Sequence, residues 1–128
     1  MKILLDTHIL LWFQSMDMRL STALREFIEQ SEHDIFVSQA SFWEIAIKLS
    51  IGKLVLDKDL QSTFRSVEEA GFLILPFTND HFIQVSALPL HHRDPFDRML
   101  IAQAEAEGMH LLTADSHFAL YDVPLVKV

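Results

Sequence analysis

The chain has 128 residues, half of them hydrophobic, with ten Phe, two Trp and no Cys. That length predicts a single domain over residues 1–128, one able to bury roughly two-thirds of its unfolded surface. The missing Cys excludes disulfides and thiolate metal sites, no apolar run nears the ~20 residues of a membrane span, and a formal net charge of −8 argues against a nucleic-acid binder of the usual basic kind.

Lys2 runs straight into Ile3-Leu4-Leu5 with no small-residue cleavage site, so no signal peptide is expected and the cytoplasm is the default location. Lys2 to Leu5 reads as a buried strand ending at Asp6. Thr7 to Phe13 is apolar with helical potential, and Met16 to Arg19 reads as a loop. Ser21 caps a helix to about Gln30, with Leu24, Phe27 and Ile28 on one face. Ile35-Phe36-Val37 is a second short strand. Ser38 or Ser41 caps a helix to about Ser50, before Gly52. Leu54-Val55-Leu56 is ambiguous. Asp59 opens a helix to about Ala70, and Gly71 closes it. Phe72 to Leu75 is a third strand, stopped by Pro76. Asn79 or Asp80 caps a short helix that ends before Pro89.

Leu90 to Arg93 forms a loop into the best-specified helix of the chain. Asp94 is a good N-cap, because its carboxylate can accept from the free amides of the first turn. Pro95 fits the first helical position, where its missing N–H costs nothing. Phe96, Met99, Leu100, Ile101, Ala102 and Ala104 make the helix apolar over most of its circumference, so it belongs in the core. Gly108 stops it. Leu111-Leu112-Thr113 is a fourth strand, His117 to Leu120 a short helical turn, and Leu125 to Val128 a possible last strand. Short apolar strands alternating with helices predict an α/β fold, with a parallel sheet covered on both faces.

Four acids occupy comparable places in this plan. Asp6 ends the first strand. Glu44 lies in the helix after the second. Asp97 is in the first turn of the best-specified helix, and Asp115 follows the fourth strand. In an open parallel sheet the loops after the strand ends share one edge, where ligands bind. The fold therefore brings Asp6 and Asp115 together, with Glu44 and Asp97 leaning in from helices. Clustered carboxylates need a counter-charge, and hard divalent cations such as Mg²⁺ or Mn²⁺ supply it. Two such ions about 4 Å apart activate water and stabilise the leaving oxygen of a phosphodiester. The ions also answer the negative net charge, since they bring local positive charge.

Each acid also has a purely structural reading. Asp6 could cap the following helix. Glu44 could pair with Lys48 at i,i+4 or close a capping box with Ser41. Asp97 could serve the helix dipole, and Asp115 could start a turn.

Four segments carry a family resemblance: Leu4-Leu5-Asp6-Thr7-His8, Ser41-Phe42-Trp43-Glu44-Ile45, Asp94-Pro95-Phe96-Asp97-Arg98-Met99-Leu100-Ile101-Ala102-Gln103-Ala104 and Leu112-Thr113-Ala114-Asp115. In this order they make the chain resemble the PIN domain family, and within it the VapC-type toxins of bacterial toxin–antitoxin pairs. The resemblance implies a three-layer α/β/α domain with a central, mostly parallel four- or five-stranded sheet. It also implies a Mg²⁺- or Mn²⁺-dependent endoribonuclease that hydrolyses RNA, forms a homodimer and is inhibited by a cognate antitoxin. The family's metal-binding acids fall on Asp6, Glu44, Asp97 and Asp115. Thr7 and Thr113 match hydroxyl positions beside the first and last acids, where they would orient carboxylates or a bound water. Arg98, with Lys48, Lys53 and Arg93, is a candidate phosphate contact; surface solubility is the alternative for these basic residues.

Three other readings compete. An aspartyl-nucleophile phosphotransferase would use Asp6, but the second Asp usual two positions on is replaced by His8. A PIN-type nuclease of RNA processing and a catalytically silent PIN-fold binding module are the others. No helical His-x-x-x-His pair and no Cys occur, which argues against a zinc site, although His8 or His117 could modulate a metal held by the acids. Trp12, Phe13, Trp43, Phe82 and Phe118 are candidates for a partner surface or for core packing.

Overall fold

The computed structural model describes residues 1–30 and 32–126. Its strands are β1 (Lys2–Leu5), β2 (Asp34–Ser38), β3 (Leu73–Leu75) and β4 (His110–Leu112). Its helices are α1 (Thr7–Gln14), α2 (Thr22–Glu29), α3 (Gln39–Ser50), α4 (Leu60–Glu69), α5 (Asn79–Ser86) and α6 (Pro95–Glu107), with a short 3-10 helix over Ser116–Leu120. The four strands form one sheet in the order β3-β2-β1-β4, and every pairing is parallel.

The strands alternate their side chains between two cores, as the pleat requires. Ile3 and Leu5 enter one with Leu10, Ile28, Ile45 and Val67, so helices α1 to α4 cover that face. Leu4 enters the other with Leu100, Ile101, Ala104 and Phe118, from α6 and the 3-10 helix. The result is the three-layer α/β/α arrangement expected from the alternating apolar runs.

Local chemistry fixes most of the helix starts. Ser21, Asp59 and Asp94 each accept from first-turn amides, as the sequence suggests. Ser38 caps α3, with its Oγ accepting from Ala40 N at 2.9 Å. Helix α5 starts one residue earlier than expected. Its N-cap is Thr78, because Thr78 Oγ1 accepts from His81 N while His81 Nδ1 accepts from Thr78 N. Leu54 to Leu56 joins neither a helix nor a strand. The last expected strand is reduced, among the described residues, to a single parallel bridge between Leu125 and Leu111; Lys127 and Val128 lie outside them.

Candidate metal centre

The strand order reverses at β1. From it the chain steps outward to β2 and β3, then returns to lay β4 on β1's other side. In open parallel sheets such a reversal leaves a crevice beyond the C-terminal strand ends. Asp6 leaves β1 there, and Thr113 and Asp115 follow β4 beside it. The backbone N–H of Asp6 donates to Leu112 O at 3.0 Å and locks the two exits together.

Asp6 is almost wholly buried. Its Oδ1 accepts from Ile9 N at 2.8 Å, capping α1, and its Oδ2 accepts from the Thr113 hydroxyl. Burial pushes the Asp6 carboxyl above its ordinary value, and these hydrogen bonds only partly oppose it. Thr7 turns its hydroxyl the other way, donating to Ser41 Oγ at 2.9 Å and tying the start of α1 to α3.

Glu44 is 2 % exposed. The i,i+4 pairing with Lys48 does form, with Lys48 Nζ 2.6 Å from Glu44 Oε2. Burial opposes the Lys48 charge, but Glu44, with Asp94 and Asp97 behind it, more than offsets that and raises the Lys48 ammonium above its ordinary value. Glu44 Oε1, equally buried, has no hydrogen-bond partner among the described residues. A buried carboxylate oxygen left alone is costly and calls for an explanation, such as a bound ion.

Asp97 stands in the first turn of α6, where its own N–H bonds Asp94 Oδ1 at 3.0 Å. Burial and the charges of Asp94, Glu44, Asp6 and Asp115 push its carboxyl up to about 8. The other three predicted acids, Asp6, Glu44 and Asp115, thus lie within electrostatic reach of Asp97. Asp115 behaves oppositely. Burial works against its ionised form, but the backbone N–H and ring of His117 and the ring of His92 outweigh it and hold the carboxyl below its ordinary value.

His92 is the residue that sequence reasoning passed over. Its Nε2 lies 3.0 Å from Asp97 Oδ2 and 3.3 Å from Asp115 Oδ2, bridging two of the acids. No sequence signal marks it; its Nδ1 accepts from Asp94 N at 3.3 Å, just before the first turn of α6. Asp94 itself was explained as a cap, and its charge at Asp97 adds to that role.

Arg98 is engaged elsewhere. Its guanidinium donates to Pro89 O at 3.0 Å, to the Tyr121 hydroxyl at 3.2 Å and, at 3.4 Å, to the carbonyls of Val85, Leu88 and His92. Of the aromatic candidates, Phe118 is fully buried, whereas Trp43 and Phe82 are at least half exposed. These two, with Phe77, Leu90, Phe96 and Met99, line an apolar groove of about 830 Å³.

The PIN domain family model matches residues 3–124. The chain belongs to the PIN domain family. No curated protein matches its sequence. Solved structures match this PIN domain over nearly its whole length. VapBC2 from Rickettsia felis, bound to a DNA fragment from its promoter, has a TM-score of 0.74 at 16 % identity, covering 99 % of this chain and 98 % of that one. FitAcB from Neisseria gonorrhoeae scores 0.66 at 20 % identity, covering 98 % and 96 %. VapBC-1 from nontypeable Haemophilus influenzae scores 0.66 at 16 % identity, covering 98 % and 97 %. At such identities the likeness is one of fold. Among the described residues of this PIN domain, no helix is long and apolar enough to cross a membrane.

Proposed function

We propose that this PIN domain is a Mg²⁺- or Mn²⁺-dependent endoribonuclease, the toxin of a toxin–antitoxin pair. The observation that carries the reading is the convergence on Asp97 of charge from Asp6, Glu44 and Asp115, with Glu44 Oε1 buried and unpartnered beside them. An all-oxygen donor set with one unanswered buried lone pair fits a hard divalent cation. Asp6, Glu44, Asp97 and Asp115 are the residues that would hold it. When bound, such an ion supplies a Lewis acid that activates water and stabilises the leaving oxygen of a phosphodiester.

The protein's own residues prepare that site. Thr113 fixes the Asp6 carboxylate by its hydroxyl, and Ile9 N fixes the other oxygen. His92 bridges Asp97 and Asp115 through Nε2. Lys48 neutralises one side of Glu44, which limits repulsion in the cluster. Lys48 and Arg93 are the proposed phosphate contacts, with Lys53 beyond the end of α3. Arg98 acts on the loop before α6. The four sequence segments and the VapBC and FitAcB likenesses support a cognate antitoxin as partner. A homodimer, a cytoplasmic location and a single domain over the chain complete the proposal.

Cleavage of single-stranded RNA by the purified protein, freed of any co-purified partner, tests this. Cutting that needs Mg²⁺ or Mn²⁺, stops with chelator, and is lost in Asp6→Ala and Asp97→Ala supports the reading. Cutting that survives both substitutions overturns it.

A further inference from the structure

Two imidazoles meet the carboxylate of Asp115 on the solvent side of the acids. His92 Nε2 lies 3.3 Å from Asp115 Oδ2, and His117 Nδ1 lies 2.9 Å from Asp115 Oδ1. One donor atom from each of the three residues lies within 4.8 Å of the others, and the two rings are 5.2 Å apart, centre to centre. We propose that His92, Asp115 and His117 form a second cation site, rich in nitrogen, that takes Zn²⁺ or a similar first-row transition ion in preference to Mg²⁺.

The spacing suits such an ion. Donors bound at about 2.0–2.2 Å in tetrahedral or octahedral geometry stand roughly 3.0–3.5 Å apart; one donor atom from each of these residues already lies within 4.8 Å of the others, so a small contraction closes the site. The donor types decide the class of ion. Imidazole nitrogen favours zinc, nickel and copper over magnesium, which takes oxygen and keeps its waters. Three protein ligands leave a position open, as in zinc sites that do chemistry. His92 meets Asp97 as well, at 3.0 Å, and its Nδ1 accepts a long 3.3 Å bond from Asp94 N, so an ion taken by Nε2 displaces the contact with Asp97. His117 is 61 % exposed and gives an ion access from solvent. Sequence spacing hides the site, because His92 and Asp115 are 23 positions apart and belong to separate loops.

The site shares Asp115 with the proposed nuclease centre but does not rest on the nuclease reading, since its readout is binding. Titration of the whole protein with ZnCl₂ in excess MgCl₂, followed by calorimetry and by imidazole NMR, tests it. The expected result is one Zn²⁺ per chain, with the ring signals of His92 and His117 shifting on Zn²⁺ and not on Mg²⁺. His117→Ala, at an exposed position whose fold is checked by circular dichroism, is expected to weaken Zn²⁺ at least tenfold. Asp6→Asn, which alters a buried acid outside the three ligands, is expected to leave Zn²⁺ binding intact. Zn²⁺ binding indifferent to His117→Ala, displaced by Mg²⁺, or unaccompanied by ring shifts overturns the proposal. Binding lost in Asp6→Asn but kept in His117→Ala assigns the ion to the acid cluster instead, and leaves the nuclease reading untouched.

Discussion

Thr113 donates its hydroxyl to Asp6 Oδ2 at 2.5 Å, across a sequence separation of 107 residues. The bond joins the exits of β1 and β4 and orients one of the two most buried acids of the cluster. Thr113→Val keeps the shape and deletes the donor. An unsatisfied buried oxygen costs about 1–3 kcal/mol of stability. Loss of a contact that orients a metal ligand costs about 10–100-fold in ion affinity. Urea denaturation and Mn²⁺ titration are expected to show both losses, and Thr113→Ser is expected to restore both. Val and Ser variants with equal Mn²⁺ affinity would remove Thr113 from the site.

The pH dependence of the metal-free protein follows from Asp97. Its carboxyl, ordinarily at 3.8, is pushed up to about 8 in the fold. Between those values the folded chain holds more protons than the unfolded one, so stability falls as pH rises. The contribution is fully present below 3.8 and is lost as pH passes about 8. Buried Asp6, also raised, acts in the same direction. Melting curves without metal are expected to fall from pH 5 to pH 9 and to recover most with Mg²⁺ at the alkaline end. Asp97→Asn is expected to flatten the slope and raise the melting temperature at pH 8. A slope unchanged in that variant contradicts the assignment.

Arg98 is expected to matter to stability first. Its guanidinium joins carbonyls on both sides of the loop before α6 to the Tyr121 hydroxyl. Lysine cannot reproduce that planar fork. Arg98→Lys is therefore expected to cost about 1.5–3 kcal/mol, the range for hydrogen bonds to charged groups, measured by chemical denaturation. An Arg98→Lys protein as stable as wild type, but weaker in RNA binding, returns Arg98 to the substrate.

Gly108 ends α6 with φ at +66°, and a Cβ built there meets nothing within 4 Å. Gly108→Ala thus carries a purely conformational penalty of about 1 kcal/mol. The denaturation midpoint is expected to fall with its slope unchanged.

Much of this was legible in the chain. Asp94-Pro95 at one end and Gly108 at the other bound α6 by local chemistry alone, and the structure repeats it. Asp6 and Asp115 followed from strand ends and the parallel-sheet rule. At Glu44 the i,i+4 reading holds, since the ion pair with Lys48 forms, and it leaves the other oxygen of Glu44 buried and unpartnered among the described residues. His92 escaped because its partners lie on other elements, and no residue spacing encodes a loop folding back. Thr78 escaped because Thr78-Asn79-Asp80 offers three caps in a row, and the side chain of His81 selects the first.

The hydroxyl of Thr113 has a temporal consequence. The ribosome makes Asp6 first, and β4, the strand that follows α6, last of the four. A chain interrupted before Leu112 carries Asp6, Glu44 and Asp97, but has neither the hydroxyl that orients the first nor the neighbour that completes the set. Such a fragment lacks one of the four proposed metal ligands however well its earlier helices form. On the reading proposed above, the metal centre is therefore complete only once β4 has been made and laid beside β1.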